Sequence, residues 1–244
     1  MARASSIKEL ADSMSIQEFA SRIDHTVLNP AASIEEVKRV LEKSRSIGFA
    51  CVVISPYHVE KLRPLFRDLK IGTVIGFPMG FTTRDAKLHE MRRVLELGVD
   101  EVDVVANIQA LKSGDLETVE NEIRALVELG HSYGAVVKII AETGLLSDEE
   151  KTRIAEIVAR CGADFIKTCT GFLGGRATIH DVVLFKRVVG NRVKVKASGG
   201  IRKVIDALAL LFFGADRLGT SAGLSLVEEF RKMKESGALI ARSP

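Results

Sequence analysis

"VVKIIAETGLLSDEEKTRIAEIVARCGADFIKTCTG", residues 136–171, holds one complete strand–helix–strand passage. The first run is β-branched and apolar, and the last, "DFIKTCTG", is short and largely apolar, as buried strands are. Between them "SDEEKTRIAEIVARCG" spaces its apolar residues helically. It opens on a serine suited to capping, places acids in a first turn that favours them, and closes in glycine. The passage reads as one β/α unit.

The same texture recurs along the chain. Short β-branched runs stand at "RIDHTVL", "ACVVISP", "GTVIGFP", "EVDVVAN", "VVKIIAET", "DFIKTCTG", "VKVKASGG" and "RLGTSAG". Helical segments such as "SIEEVKRVLEKSRSIG" and "LETVENEIRALVELGHSYG" separate them. Eight alternations, each roughly 25 to 30 residues long, suit successive β/α units. Within 244 residues they predict an α/β fold, the (β/α)₈ TIM barrel, with an extra N-terminal helix. A doubly wound open sheet shares the alternation and stands as the alternative. No glycine fingerprint follows the first strand to favour a dinucleotide fold. Without a linker or low-complexity segment, residues 1–244 read as a single barrel domain, with 1–20 a leading helix packed on or near the barrel.

Apolar residues make up 46% and charged residues 27%, enough for a large core. A net charge of +3, interleaved signs, no tryptophan and two tyrosines argue against a nucleic-acid partner. No apolar run reaches membrane-spanning length, and the N-terminus lacks the apolar core of a signal peptide. Cys51, Cys161 and Cys169 form no CxxC pair and read as free thiols. These features point to the cytoplasm, with no membrane partner.

Barrel chemistry gathers at the C-terminal strand ends, and alternate strand residues point inward. If the valines and isoleucines pack under the helices, Asp24, Asp103, Lys167 and Lys196 converge inside the mouth. The ordinary explanation, a charge at a frayed strand end, suits one such residue better than four from four strands. Mid-strand ionisable groups need partners or lose their charge.

Two neighbouring lysines supply a specific chemistry. An ordinary lysine, with pKa about 10.4, has almost no free amine at neutral pH. A nearby cation, helped by desolvation, frees the amine to form a Schiff base. The iminium then stabilises an adjacent carbanion, with Asp103 placed to move protons directly or through water. Strand depth makes Lys196, nearer the mouth, the activating cation. Lys194, two residues earlier on the same face, lies about 6.6 Å farther in.

The last two strands end in "ASGGIR" and "GTSAG". Their glycines expose backbone N–H groups, and Ser198, Thr220 and Ser221 add hydroxyls. That suits a phosphate at the position where barrels often hold one. The five histidines show no metal-ligand spacing, so no metal is expected. His25 reads as structural, and Cys169 as filler beside Lys167.

At these residues the chain resembles the 2-deoxyribose-5-phosphate aldolases. The likeness runs through "IDHTVLNP", "TVIGFPMG", "DEVDVVANI", "VKIIAETGLL", "DFIKTCTGF", "VKASGGIR" and "ADRLGTSAG". It implies a class I aldolase needing no metal or organic cofactor, which reversibly cleaves 2-deoxy-D-ribose 5-phosphate to D-glyceraldehyde 3-phosphate and acetaldehyde. By the same resemblance Lys167 forms the imine, Lys196 perturbs it, Asp103 is the acid/base partner, and Asp24 supports the network. Thr170, Gly171, Gly199, Gly200 and Ser221 match the neighbourhood of the substrate and its phosphate.

The chain departs from the family pattern at three places. Cysteine stands at 51 rather than at the position of Val53, Lys194 replaces a usual glycine, and "ALIARSP" lacks a terminal tyrosine. In the absence of that tyrosine, its proton-transfer role is expected to be missing or filled by water. The partners implied are a small sugar phosphate and an aldehyde. A helix that is apolar on nearly every side, "VIDALALLFFGA", adds a homodimer or homotetramer that buries part of Leu210, Leu211, Phe212 or Phe213. A different class I aldolase, a transaldolase, or a non-catalytic sugar-phosphate-binding barrel remain as alternatives.

Overall fold

A computed structural model describes residues 4–236. Residues 1–3 of the leading segment and the terminal "ALIARSP" lie outside the described residues. Each β-branched run contains one strand. These are β1 (Ile23–Val27), β2 (Cys51–Ile54), β3 (Ile71–Ile75), β4 (Glu101–Val105), β5 (Val136–Ile140), β6 (Phe165–Lys167), β7 (Lys194–Ser198) and β8 (Arg217–Thr220). Every strand pairs in parallel with the next, and β8 pairs with β1 from Ile23↔Leu218 to His25↔Thr220. The barrel is closed, which overturns the open-sheet alternative.

The leading segment is two short helices, α1 (Ile7–Ser13) and α2 (Ile16–Ala20), rather than one. Ser15 explains the break, because its hydroxyl and the Glu18 carboxylate form a capping box that restarts the helix. The connections carry α3 (Ile34–Ser44), α4 (Pro56–Leu62), α5 (Arg84–Glu96), α6 (Ile108–Lys112), α7 (Leu116–Ser132) and α8 (Asp148–Arg160). They are completed by α9 (Ile179–Val189), α10 (Val204–Phe212) and α11 (Gly223–Ser236). Capping boxes also start α3, at Ser33–Glu36, and α8, at Ser147–Glu150. Removing such a cap costs about 1 kcal/mol.

Alternation sorts the strand residues into two environments. Val52, Val102, Val104, Val137, Ile139, Ile166, Val195 and Leu218 face outward and join the main core beneath the helices. Facing inward, β2 and β3 are apolar, and Cys51, Val53 and Val74 form a small separate cluster. Most of the rest of the interior is ionic, with the Phe165 ring among the charges. One side of the barrel is therefore filled by packing and the other by charge.

At the N-terminal end, α1 packs on α10 and α2 on α11. This accounts for part of the all-round apolar character of α10. Leu210 is 4% exposed within the single chain, so it is core and no candidate interface residue. Leu211 and Phe212 are half-buried, while Ile205 and Phe213 remain exposed.

Candidate active site

Lys167 is the last residue of β6, and the ladder places it beside Lys196 on β7. Its side chain is almost wholly buried, and its Nζ donates to Asp103 Oδ2 at 2.7 Å. Lys196 Nζ reaches the same oxygen at 2.6 Å and Asp24 Oδ2 at 2.5 Å. The four residues singled out by alternation thus meet in one cluster, with Asp103 shared between the two lysines. Gly219 makes room for it, since a Cβ there would lie 3.0 Å from Lys196 Cε and 2.8 Å from the Ser198 hydroxyl oxygen.

A third lysine completes the cluster. Lys138 Nζ lies 2.6 Å from Glu101 Oε2, 2.9 Å from Asp103 Oδ1 and 3.5 Å from Asp24 Oδ2. Below it, Arg217 Nη1 stands 2.7 Å from Asp24 Oδ1 and 3.4 Å from Glu101 Oε2. The Phe165 ring forms part of the floor, with the Arg217 guanidinium 5.2 Å and the Lys194 ammonium 5.5 Å from its centroid. Lys194 is exposed at the strand entrance. It sits a layer deeper than Lys196, as strand depth requires, but in solvent rather than among the buried charges.

The charges divide the three lysines. Burial lowers the Lys167 pKa most, Asp103 opposes it, and Lys196 and then Lys138 lower it further, to about 8. Among the causes that lower it, desolvation therefore leads and the cation beside it comes next, the reverse of the order expected from residue types. Burial also opposes the charge on Lys138, yet Asp103, Asp24 and Glu101 together raise its pKa well above the ordinary value. For Asp103, burial is outweighed by Lys138, Lys167 and Lys196, which hold it well below the carboxylate range. Asp24 is likewise held at about 2 against burial, by Lys196, Lys138 and Arg217.

Above the cluster a cavity of about 360 Å³ opens at the C-terminal mouth. Lys167 lies at its base, and Thr170, Gly171, Gly199, Gly200 and Ser221 all line it. Gly199 and Gly200 have φ of 113° and 74°, values that favour glycine and turn the chain sharply after β7. The Thr220 hydroxyl donates to the Ile201 carbonyl at 2.7 Å and accepts from the Ala222 N–H, tying the last two turns together. Of the hydroxyls expected here, Ser221 alone is exposed in the cavity wall.

Residues 19–229 match the DeoC/LacD family of aldolases. The chain is 47% identical over 221 residues to a deoxyribose-phosphate aldolase of Caldanaerobacter subterraneus subsp. tengcongensis, covering 89% of this chain and 96% of that one. It is 44% identical over 219 residues to a deoxyribose-phosphate aldolase of Thermococcus kodakarensis, covering 88% and 98%. A solved Aeropyrum pernix structure, described as a unique tetrameric deoxyribose phosphate aldolase, superposes with a TM-score of 0.87 at 36% identity. That likeness covers 95% of this chain and 100% of the other. The chain belongs to the DeoC/LacD aldolase family. It is a carbon–carbon lyase.

Within this aldolase, sequence reasoning passed over three site residues. Lys138 sits in "VVKII" with the same alternation as Lys167, which marks it as inward-facing, and the register beside Asp103 and Phe165 brings it to the centre. Glu101 shares the inward face of Asp103, and Arg217 opens the strand that pairs with Lys196. Glu142 is a fourth. Its backbone is left-handed, at φ 54°, and its carboxylate accepts the Thr170 N–H at 2.8 Å, holding the loop beyond Lys167. His25 faces away from the cluster, stacked on Phe49 with centroids 5.0 Å apart. Burial lowers its pKa to about 4, against a backbone hydrogen bond with Thr220. Cys169 is buried and lies 3.2 Å from the Thr143 hydroxyl, outside the cavity wall. Among the described residues, no group of three or more His, Cys, Asp or Glu could hold a metal ion, and no helix is long and apolar enough to cross a membrane.

Proposed function

We propose that this chain reversibly cleaves 2-deoxy-D-ribose 5-phosphate to D-glyceraldehyde 3-phosphate and acetaldehyde, through a Schiff base on Lys167. The observation that carries the reading is the buried Lys167 amine, depressed to about 8, at the base of a glycine-walled cavity. The neutral amine attacks the aldehyde carbon of the open-chain sugar, and loss of water leaves an iminium. Proton removal from the C3 hydroxyl breaks the C2–C3 bond and releases glyceraldehyde 3-phosphate. The bonding electrons pass to the iminium, giving an enamine. Protonation at C2 and hydrolysis then free acetaldehyde and restore the amine.

Asp103, shared by Lys167 and Lys196, is the route by which protons reach and leave this centre, directly or through water. Asp24 keeps Lys196 in place at 2.5 Å. Thr170 and Gly171 line the sugar end of the cavity, while Gly199, Gly200 and Ser221 receive the phosphate. No cofactor takes part. The exposed Ile205 on α10 and Phe213 at its C-terminal end support a homodimer or homotetramer.

Acetaldehyde with borohydride tests the mechanism, because a reduced imine cannot hydrolyse. One two-carbon adduct is expected, at Lys167. Peptide mapping that placed it mainly elsewhere would overturn the assignment. Turnover of deoxyribose 5-phosphate, followed by coupled detection of glyceraldehyde 3-phosphate, tests the substrate.

A further inference from the structure

Seven ionisable side chains from six strands meet inside the barrel. Asp24, Glu101 and Asp103 are the carboxylates, and Lys138, Lys167, Lys196 and Arg217 are the cations. Of the other two strands, β2 adds Cys51, whose thiol is pushed well above its ordinary pKa by burial and then by Glu101. β3 adds only Gly72 and Val74. Lys194 stands in solvent at the floor, and outward-facing His25 is neutral at pH 7. If every buried group were charged, four cations would face three carboxylates.

A surplus charge in this interior is expensive, and losing one proton removes it. The contacts decide which proton goes. Lys138 is held by three carboxylates, Lys196 by two, and Lys167 by Asp103 alone. Arg217 has no proton it can release in a protein. Lys167 is therefore the cation the cluster can most easily discharge.

We infer that Arg217 favours the neutral form of Lys167: its permanent charge, held on Asp24 and Glu101 at the barrel floor, makes Lys167 the surplus cation. Arg217 is not among the residues lining the cavity, so it is a positioning residue that acts through its neighbours. Without it, three lysines balance three carboxylates and the Lys167 ammonium is held to higher pH. Glu101 has the opposite sign, because its loss leaves two carboxylates against four cations.

The inference rests on Lys167 being the imine-forming residue. Its test is the pH at which trapping of Lys167 by acetaldehyde and cyanoborohydride reaches half its maximal rate in the full chain, with the adduct mapped. Arg217→Met should raise that midpoint by about one unit, roughly tenfold less trapping at pH 7. Arg217→Lys should largely restore it, and Glu101→Gln should lower it. A purely structural role would change melting temperature but leave the midpoint in place, and that result would overturn the inference. So would shifts of the same sign in Arg217→Met and Glu101→Gln. Should Arg217→Met fail to fold, the nearly isosteric Glu101→Gln still decides, and an unmoved midpoint refutes. Absence of any Lys167 adduct in the unmodified chain would instead refute the aldolase reading, and this inference with it.

Discussion

Replacing Lys196 by leucine separates charge from chemistry. With a pKa of about 8, about one Lys167 in eleven is the free amine at pH 7. If the pKa returned all the way to about 10.5, that fraction would fall about 300-fold. Burial, the largest cause of the depression, survives the substitution, so 300-fold is a ceiling on the loss caused by protonation alone. The cluster should tolerate the change. Asp24 keeps Arg217 at 2.7 Å, and Asp103 keeps Lys138 at 2.9 Å and Lys167 at 2.7 Å. The sign is fixed: a raised lysine pKa removes amine at neutral pH and gives it back in alkali. At pH 10 the protonation penalty should shrink to about fourfold even in the limiting case. The assay is kcat/KM for deoxyribose 5-phosphate from pH 6 to 10, beside the imine-trapping rate over the same range. Any trapping loss should close with rising pH, whereas a turnover loss that persists at pH 10 measures proton transfer. A trapping defect equally large at pH 7 and pH 10 would refute the electrostatic role of Lys196.

Ser221→Asp places a like charge where the phosphate is proposed to bind. It should raise KM for deoxyribose 5-phosphate far more than for unphosphorylated deoxyribose, and equal effects would remove the phosphate from this turn. Lys194→Gly deletes an exposed charge outside the buried cluster and should change kcat/KM by less than about threefold, since solvent screens it; loss of turnover in a folded protein would show that the floor charge matters. Incubation with EDTA should leave aldol cleavage unchanged, and clear loss with recovery on zinc would point to the metal-dependent class of aldolase. Sedimentation at micromolar concentration should give a dimer or tetramer that Phe213→Asp weakens, and a monomer would end the oligomer proposal.

The fold was legible because the two periods that specify it are local. Each strand's β-branched run and each helix's cap and apolar stripe can be read within about a dozen residues, and only closure through β1 and β8 is non-local. The site was legible in part for the same reason. Alternation separates inward from outward residues, and it brings Asp24, Asp103, Lys167 and Lys196 onto one face. It does not say how deep a residue lies, because depth depends on the stagger between strands. Lys138 reaches the centre because it is level with Asp103 on one side and Phe165 on the other, a register found in no single stretch of sequence.

Helix-borne lysines show why a buried charge alone does not mark a site. Lys87 on α5 is as buried as Lys196, and its Nζ lies 2.6 Å from Glu122 on α7. It also donates to the Val105 carbonyl at 2.9 Å, at the end of β4 and outside the barrel. That pair is one cation with one carboxylate, so nothing in it must give up a proton. Lys167 differs by the company it keeps. It has a single carboxylate, that carboxylate is shared with two other lysines, and the cavity opens beside its amine. An unequal number of opposite charges in a closed interior makes one amine easier to deprotonate near neutral pH, whereas a matched pair favours the salt bridge. The barrel supplies the inequality by sending charged residues inward from six strands and apolar ones from the other two.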